Sequence, residues 1–165
     1  MTISNALVAE LTQEAATTRR VLERVPEDKL TWAPHRKSMT LGQLALHIAS
    51  LTGGVAEFLS SSPQEVPTFD RPEAKSRAEI MAALEESVAN AKAKLDSWSD
   101  DDLMAEWKMM RGQDTLIATP RIGMVRSVML NHWYHHRGEL LVYLRLLDVP
   151  VPSVYGPSAD ENPFA

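Results

Sequence analysis

Thr40-Leu41-Gly42-Gln43-Leu44-Ala45-Leu46-His47-Ile48-Ala49-Ser50-Leu51 is the stretch that decides the fold. Thr40 and Gln43 stand at the spacing of a capping box, in which a hydroxyl and an amide side chain each satisfy a backbone N–H left unpaired by the first helical turn. Leu44, His47, Ile48, Leu51 and Val55 then recur every three or four residues, the period of a helix with one apolar face. The spacing predicts a helix that starts at Thr40, continues through Gly53-Gly54 and closes its apolar face with Phe58 and Leu59. A histidine on that face is the anomaly. An imidazole turned toward a core needs a partner, because burying it unpaired is costly.

Three further helical segments flank this one. Leu7, Leu11, Ala15, Thr18 and Leu22 share a face in the first, which Pro26 stops, and a loop holding Trp32, Pro34 and His35 follows. After a connection marked by Pro63, Pro67 and Pro72, a second capping box (Ser76 with Glu79) opens a helix through Ile80, Leu84, Val88, Ala91 and Leu95. Asp100-Asp101-Asp102 reads as a solvated turn. Trp107–Met110 and Thr115–Ala118 flank Arg111-Gly112-Gln113-Asp114 and could form a short hairpin. Thr119-Pro120 resembles an N-cap with Pro at the first helical position. The last helix then runs to about Leu147 through Met124, Val128, Leu130, Leu140 and Leu144, and a Pro-rich tail follows. The expectation is an all-α fold, a four-helix bundle in one domain over residues 1–165, with the hairpin between the third and fourth helices.

Composition narrows the function classes. The chain has 165 residues, a length that suits one domain. Seventeen Lys and Arg against 22 Asp and Glu give a formal charge of −5, which argues against a nucleic-acid footprint or an anionic membrane surface. With no Cys, thiolate metal sites and Cys nucleophiles are excluded. No leader and no apolar run long enough for a membrane span is seen, so a cytoplasmic location is expected.

Three of the five His fall in Asn131-His132-Trp133-Tyr134-His135-His136-Arg137-Gly138-Glu139. Four residues apart on a helix, His132 and His136 lie about 40° apart on one face and can reach one metal ion. His135 points about 100° away from His136 and should not join them. Paired His at this spacing also occur as surface or satisfied core groups. If the second and fourth helices are neighbours, His47 could complete a three-His site. Neutral imidazoles suit Zn, Ni, Cu or Fe(II). Glu139 falls on the same side and could orient a ligand, serve as a fourth ligand, act as a base, or simply pair with a neighbouring helix. Arg137 reads as structural, and Gln43 as a cap before it is a partner for an imidazole or a bound water. Trp32, Trp107, Trp133 and Tyr134 are read as packing rather than pocket lining, and the Met residues as packing too. His35 is expected to be exposed in its loop.

His132-x-x-x-His136-Arg137-Gly138-Glu139, paired with the lone His47 in Leu41-Gly42-Gln43-Leu44-Ala45-Leu46-His47-Ile48, resembles the DinB-like (YfiT-like) metalloenzyme family over nearly the whole chain. The resemblance implies a four-helix bundle with up-down-down-up topology and a divalent metal held by His47, His132 and His136. Zn or Ni leads the expected ions, with Fe or Mn behind. The family usually has Gln where this chain has Glu139, which leaves the ligand set intact but not any substrate preference. Three neutral His leave an ion its full charge and an open position, which favours a catalytic site over a closed structural one. The resemblance further implies a low-molecular-weight thiol as co-substrate, a small-molecule substrate and a homodimer. The expected function is a metal-dependent thiol S-transferase or hydrolase. The alternative is a non-catalytic bundle that metal stabilises or that binds a ligand.

Overall fold

The computed structural model describes residues 2–68 and 70–165. Helix α1 (Ile3–Leu22) is capped by Thr2, whose side chain accepts from the Asn5 N–H. A single 3-10 turn at Glu27–Lys29 follows, and then α2 (Leu41–Phe58). Both halves of the Thr40/Gln43 capping box are present at the start of α2, and the Gln43 amide also donates to the Arg71 carbonyl at 3.1 Å. Next come β1 (Gln64–Glu65), α3 (Arg77–Ser97), α4 (Asp100–Met104), β2 (Glu106–Arg111) and β3 (Asp114–Pro120). The last helical run joins α5 (Arg121–Met124), a π-helical segment (Val125–Asn131) and α6 (His132–Leu146).

The chain is therefore mostly helical, but not all-α as expected: β1, β2 and β3 form a three-stranded sheet in that order. The hairpin lies where it was read, with Arg111 paired to Asp114 and Gly112 at φ 59° in the two-residue turn. That positive φ is what a turn of the II′ type asks of its first central residue, and Gly adopts it without a Cβ penalty. The third strand was not expected. Gln64 and Glu65 pair in parallel with Met109 and Met110, and the connection is strapped to the hairpin by Trp107 Nε1–H donating to the Ser61 carbonyl at 2.9 Å. Strand pairing across 45 residues leaves no periodic trace in a two-residue segment.

Other boundaries also shift. The acidic run is not a turn but α4, opened by a capping box in which Ser99 and Asp102 exchange hydrogen bonds. Thr119 is not an N-cap: it pairs with Trp107 in the sheet, and the helix begins at Arg121. Ser76 caps α3 through the Glu79 N–H, but the Glu79 carboxylate accepts from the Lys75 N–H at 2.6 Å instead of closing the box.

One core joins Leu7 and Leu11 of α1, Leu44, Ile48 and Leu51 of α2, Ile80 and Leu84 of α3, and Trp133, Leu140 and Leu144 of α6. Ser87 rather than Val88 is buried on α3, because α2 and α3 meet closely there. The Gly53 N–H donates to Ser87 Oγ at 2.7 Å, and a Cβ on Gly53 would lie 2.8 Å from both the Cα and the carbonyl oxygen of Ser87. Gly54 has nothing within 4 Å of the same position. Opposite signs are expected for two adjacent substitutions. Gly53→Ala should cost about 1–3 kcal/mol through forced separation of the helices, while Gly54→Ala should gain roughly 0.5–1 kcal/mol of helix propensity. Thermal melts of the two variants check this, and a stabilising Gly53→Ala would contradict the close approach.

Candidate metal centre

The site begins with one hydrogen bond between helices. Trp133 is fully buried at the start of α6 and donates its indole N–H to the Ile48 carbonyl of α2 at 2.9 Å. Because Ile48 follows His47 and Trp133 follows His132, that bond brings the two histidines to a common level. Trp133, Arg137, Leu140 and Leu144 form the buried stripe of α6. His132 and His136 run beside this stripe, half-buried, on the side facing α2. The π-helical segment directly before His132 shifts the phase of the helix relative to an unbroken α-helix, and such segments recur at functional sites.

His47, His132 and His136 converge. Their ring centroids are 4.5 to 5.5 Å apart, and each offers a nitrogen within 4.8 Å of the other two. His132 Nε2 and His136 Nε2 are 2.7 Å apart. On its far side His136 Nδ1 lies 2.6 Å from Glu139 Oε2. A carboxylate can only accept, so this bond places a proton on His136 Nδ1, while Nε2 of the same ring faces His132. Burial and the charges of His136, His132 and Arg71 pull the His47 imidazole down to about 4. Burial and His136 also lower His132, against a smaller opposing effect of the Val128 backbone. Those two rings are thus neutral at neutral pH, the form that binds metal.

These residues fit a divalent ion. Three imidazole nitrogens, one from each ring, lie within 4.8 Å of one another, close enough for small side-chain rotations to bring them onto one ion at zinc–imidazole bonds of roughly 2.0–2.1 Å. A carboxylate fixes the outer nitrogen of one of them, the arrangement that orients metal-ligating His. A cleft of about 230 Å³ opens on the three rings, bounded further by Met39, Asp70 and Arg71. The last three were not read from the sequence: Asp70 and Arg71 lie in an irregular connection that carries no periodic signal.

The other singled-out residues divide clearly. Glu139 finds both its partners on its own helix, His136 at 2.6 Å and His135 at 3.3 Å, rather than on a neighbouring one. His135, His136 and Glu139 make a second potential donor group, but His135 is exposed and all three share one helix. Gln43 serves the cap and the Arg71 carbonyl. Arg137 is buried and paired with Glu14 at 2.6 Å. Trp107 is in the core, Trp32 packs edge-on against Tyr143, and Tyr134 donates to Glu10 at 2.8 Å. His35 is exposed, its Nδ1 accepting from the Lys37 N–H at 3.2 Å, and it is not among the residues lining the cleft. Among the described residues no helix is long and apolar enough to cross a membrane.

Comparison with known proteins agrees with this architecture. The chain is 27% identical over 150 residues to the uncharacterized protein YrdA of Bacillus subtilis (strain 168), an alignment covering 90% of this chain and 85% of that protein. Its fold is shared with the crystal structure of a DinB-like protein from Bacillus cereus ATCC 10987, with a TM-score of 0.74, 24% identity and coverage of 93% of this chain and 98% of the other. It is shared too with the DinB-like protein YjoA of Bacillus subtilis, with a TM-score of 0.67, 18% identity and coverage of 90% and 97%. The DinB family model matches residues 1–163, so nearly every element described above falls within the match, and the chain belongs to the DinB family.

Proposed function

We propose that this chain is a divalent-metal-dependent enzyme whose ion is held by His47, His132 and His136, acting on a small molecule as a low-molecular-weight-thiol S-transferase or as a hydrolase. The observation that carries the reading is the convergence of three imidazole nitrogens, from two helices, at the floor of an open cleft. A structural site closes four protein ligands around its ion, whereas three ligands and a cleft leave a position for a reactant. When bound, an ion of this kind supplies Lewis acidity, lowering the pKa of a water or thiol or polarising an oxygen. Zn or Ni suits three nitrogen donors best, with Fe or Mn as further candidates.

The chain's own residues have separable tasks in this reading. Glu139 holds the proton on His136 Nδ1 and keeps Nε2 a donor to the ion, so it is a positioning residue. Trp133 sets the level of α6 against α2. Asp70 and Arg71 place one negative and one positive charge beside the cleft. The chain without Cys offers no thiol nucleophile of its own, so a transferred sulfur would come from the co-substrate. The same reading takes the scaffold as a single domain, a four-helix bundle of up-down-down-up topology, working as a cytoplasmic homodimer.

Turnover by metal-loaded protein, measured across thiols paired with electrophiles and across esters and amides, tests the proposal. Activity that disappears in His136→Ala supports it. A fully loaded protein that turns over none of these, and whose His47→Ala variant loses much of its stability, would favour a metal that only holds the fold. Glu139→Gln is expected to weaken metal affinity about 10–100-fold while leaving the helix intact, measured by competition with a chromogenic chelator. An unchanged affinity would remove Glu139 from the site.

A further inference from the structure

Three of the segments that bound the histidine cleft also bound a second cavity. Along α2 the cleft takes His47, and about two turns further on, Val55 and Phe58 line an apolar cavity of about 390 Å³. In the connection to α3, Asp70 and Arg71 line the cleft while Val66 lines the cavity. In the last helical run His132 lines the cleft, and Val128, one turn earlier, lines the cavity. Met109 and Ile117 of the hairpin close its far side. No residue lining the cavity carries a charge. Its volume lies in the range of small-molecule sites, which are lined mostly by apolar side chains with a small number of placed polar groups. The three imidazoles do not line the cavity but lie next along the same elements: His132 follows Val128 by four residues, and His47 lies about 12 Å along α2 from Val55 at 1.5 Å rise per residue.

We infer that this cavity is the tail subsite of the histidine centre, and that the substrate is an amphiphile: a polar reacting end at His47, His132 and His136, and an unbranched alkyl or aryl-alkyl chain between α2, the hairpin and the π-helical segment. The assignment of the reacting end rests on the metal-enzyme reading above, while the assignment of the apolar end does not. The third strand has a role in this account. By tying the connection after α2 to the hairpin, β1 holds Val66 against Met109 and Ile117 and keeps the cavity walled on that side.

Acetohydroxamate, pentanohydroxamate and octanohydroxamate are the probes, titrated calorimetrically into metal-free and metal-loaded protein. Affinity should rise about fourfold for each methylene buried, in both forms of the protein. Val55→Gln and Ile117→Gln should each flatten that rise while leaving acetohydroxamate binding to the loaded protein unchanged. Two variants on different elements guard against one that fails to fold. A chain-length dependence in the metal-free protein together with no metal-dependent binding of acetohydroxamate would uphold the tail subsite and overturn the metal reading. Equal affinity for all three probes, or a rise that both variants leave intact, would overturn the tail subsite. So would a dimer in sedimentation velocity that either variant dissociates, because the cavity would then be filled by a second copy of the chain.

Discussion

Arg137→Met is expected to lower stability by about 3–5 kcal/mol, the cost of leaving a buried charge without its partner. Arg137 is 2% exposed in the middle of α6, and Glu14, on α1, is 7% exposed. The guanidinium bonds the Glu14 carboxylate at 2.6 Å, the Thr18 hydroxyl at 3.1 Å and the Glu14 carbonyl at 3.3 Å. It also donates to the Tyr155 hydroxyl, which in turn donates to Glu14 at 2.9 Å. One side chain thus ties α1, α6 and the C-terminal tail, one position beyond His136. A chain of this length loses about 2–4 °C of Tm per kcal/mol, so the melt should drop by roughly 6–20 °C. Pairing the change with Glu14→Leu should recover much of the loss, because replacing both members of a buried pair by apolar groups is often near neutral. A single-variant loss below about 1 kcal/mol, far under the range for a broken buried pair, would mean that the pair is not desolvated as described.

The second large effect is on ligand-linked stability. Zn²⁺ at about one hundred times its dissociation constant should stabilise the native chain by about 2.7 kcal/mol, a rise in Tm of roughly 5–11 °C. His47→Ala should abolish most of this rise while changing the metal-free Tm little, since His47 is half-buried and contributes no hydrogen bond from its ring among the described residues. Equal rises in the native chain and the variant would show that α6 alone holds the ion, through His132 and His136 or through His135 and Glu139. The differential melt therefore separates a site built between two helices from one built on a single helix.

Where the sequence was legible, the determinants were local. The caps at Thr40 and Ser76 and the turn at Gly112 depend on residues within four positions, and the His132–His136 pair on the pitch of one helix. Where it was not, the determinants came from elsewhere in the chain. Glu14 replaces Ala15 on the buried face of α1 because Arg137 lies opposite it, 123 residues away. The π-helical segment changes which residues of the last helix face the core, burying Met129 and leaving Val128 at the edge of the apolar cavity. β1 exists because of the hairpin it joins. The acidic α4 is the exception, for its Ser99–Asp102 box was local and visible, and the run of like charge obscured it.

Metal content is the direct test of the central claim. Protein purified without a His tag, and analysed by elemental mass spectrometry beside His136→Ala after identical reconstitution, should carry close to one equivalent of a divalent ion in the native chain and almost none in the variant. Equal content in the two, or none in either, would contradict a metal centre at His47, His132 and His136.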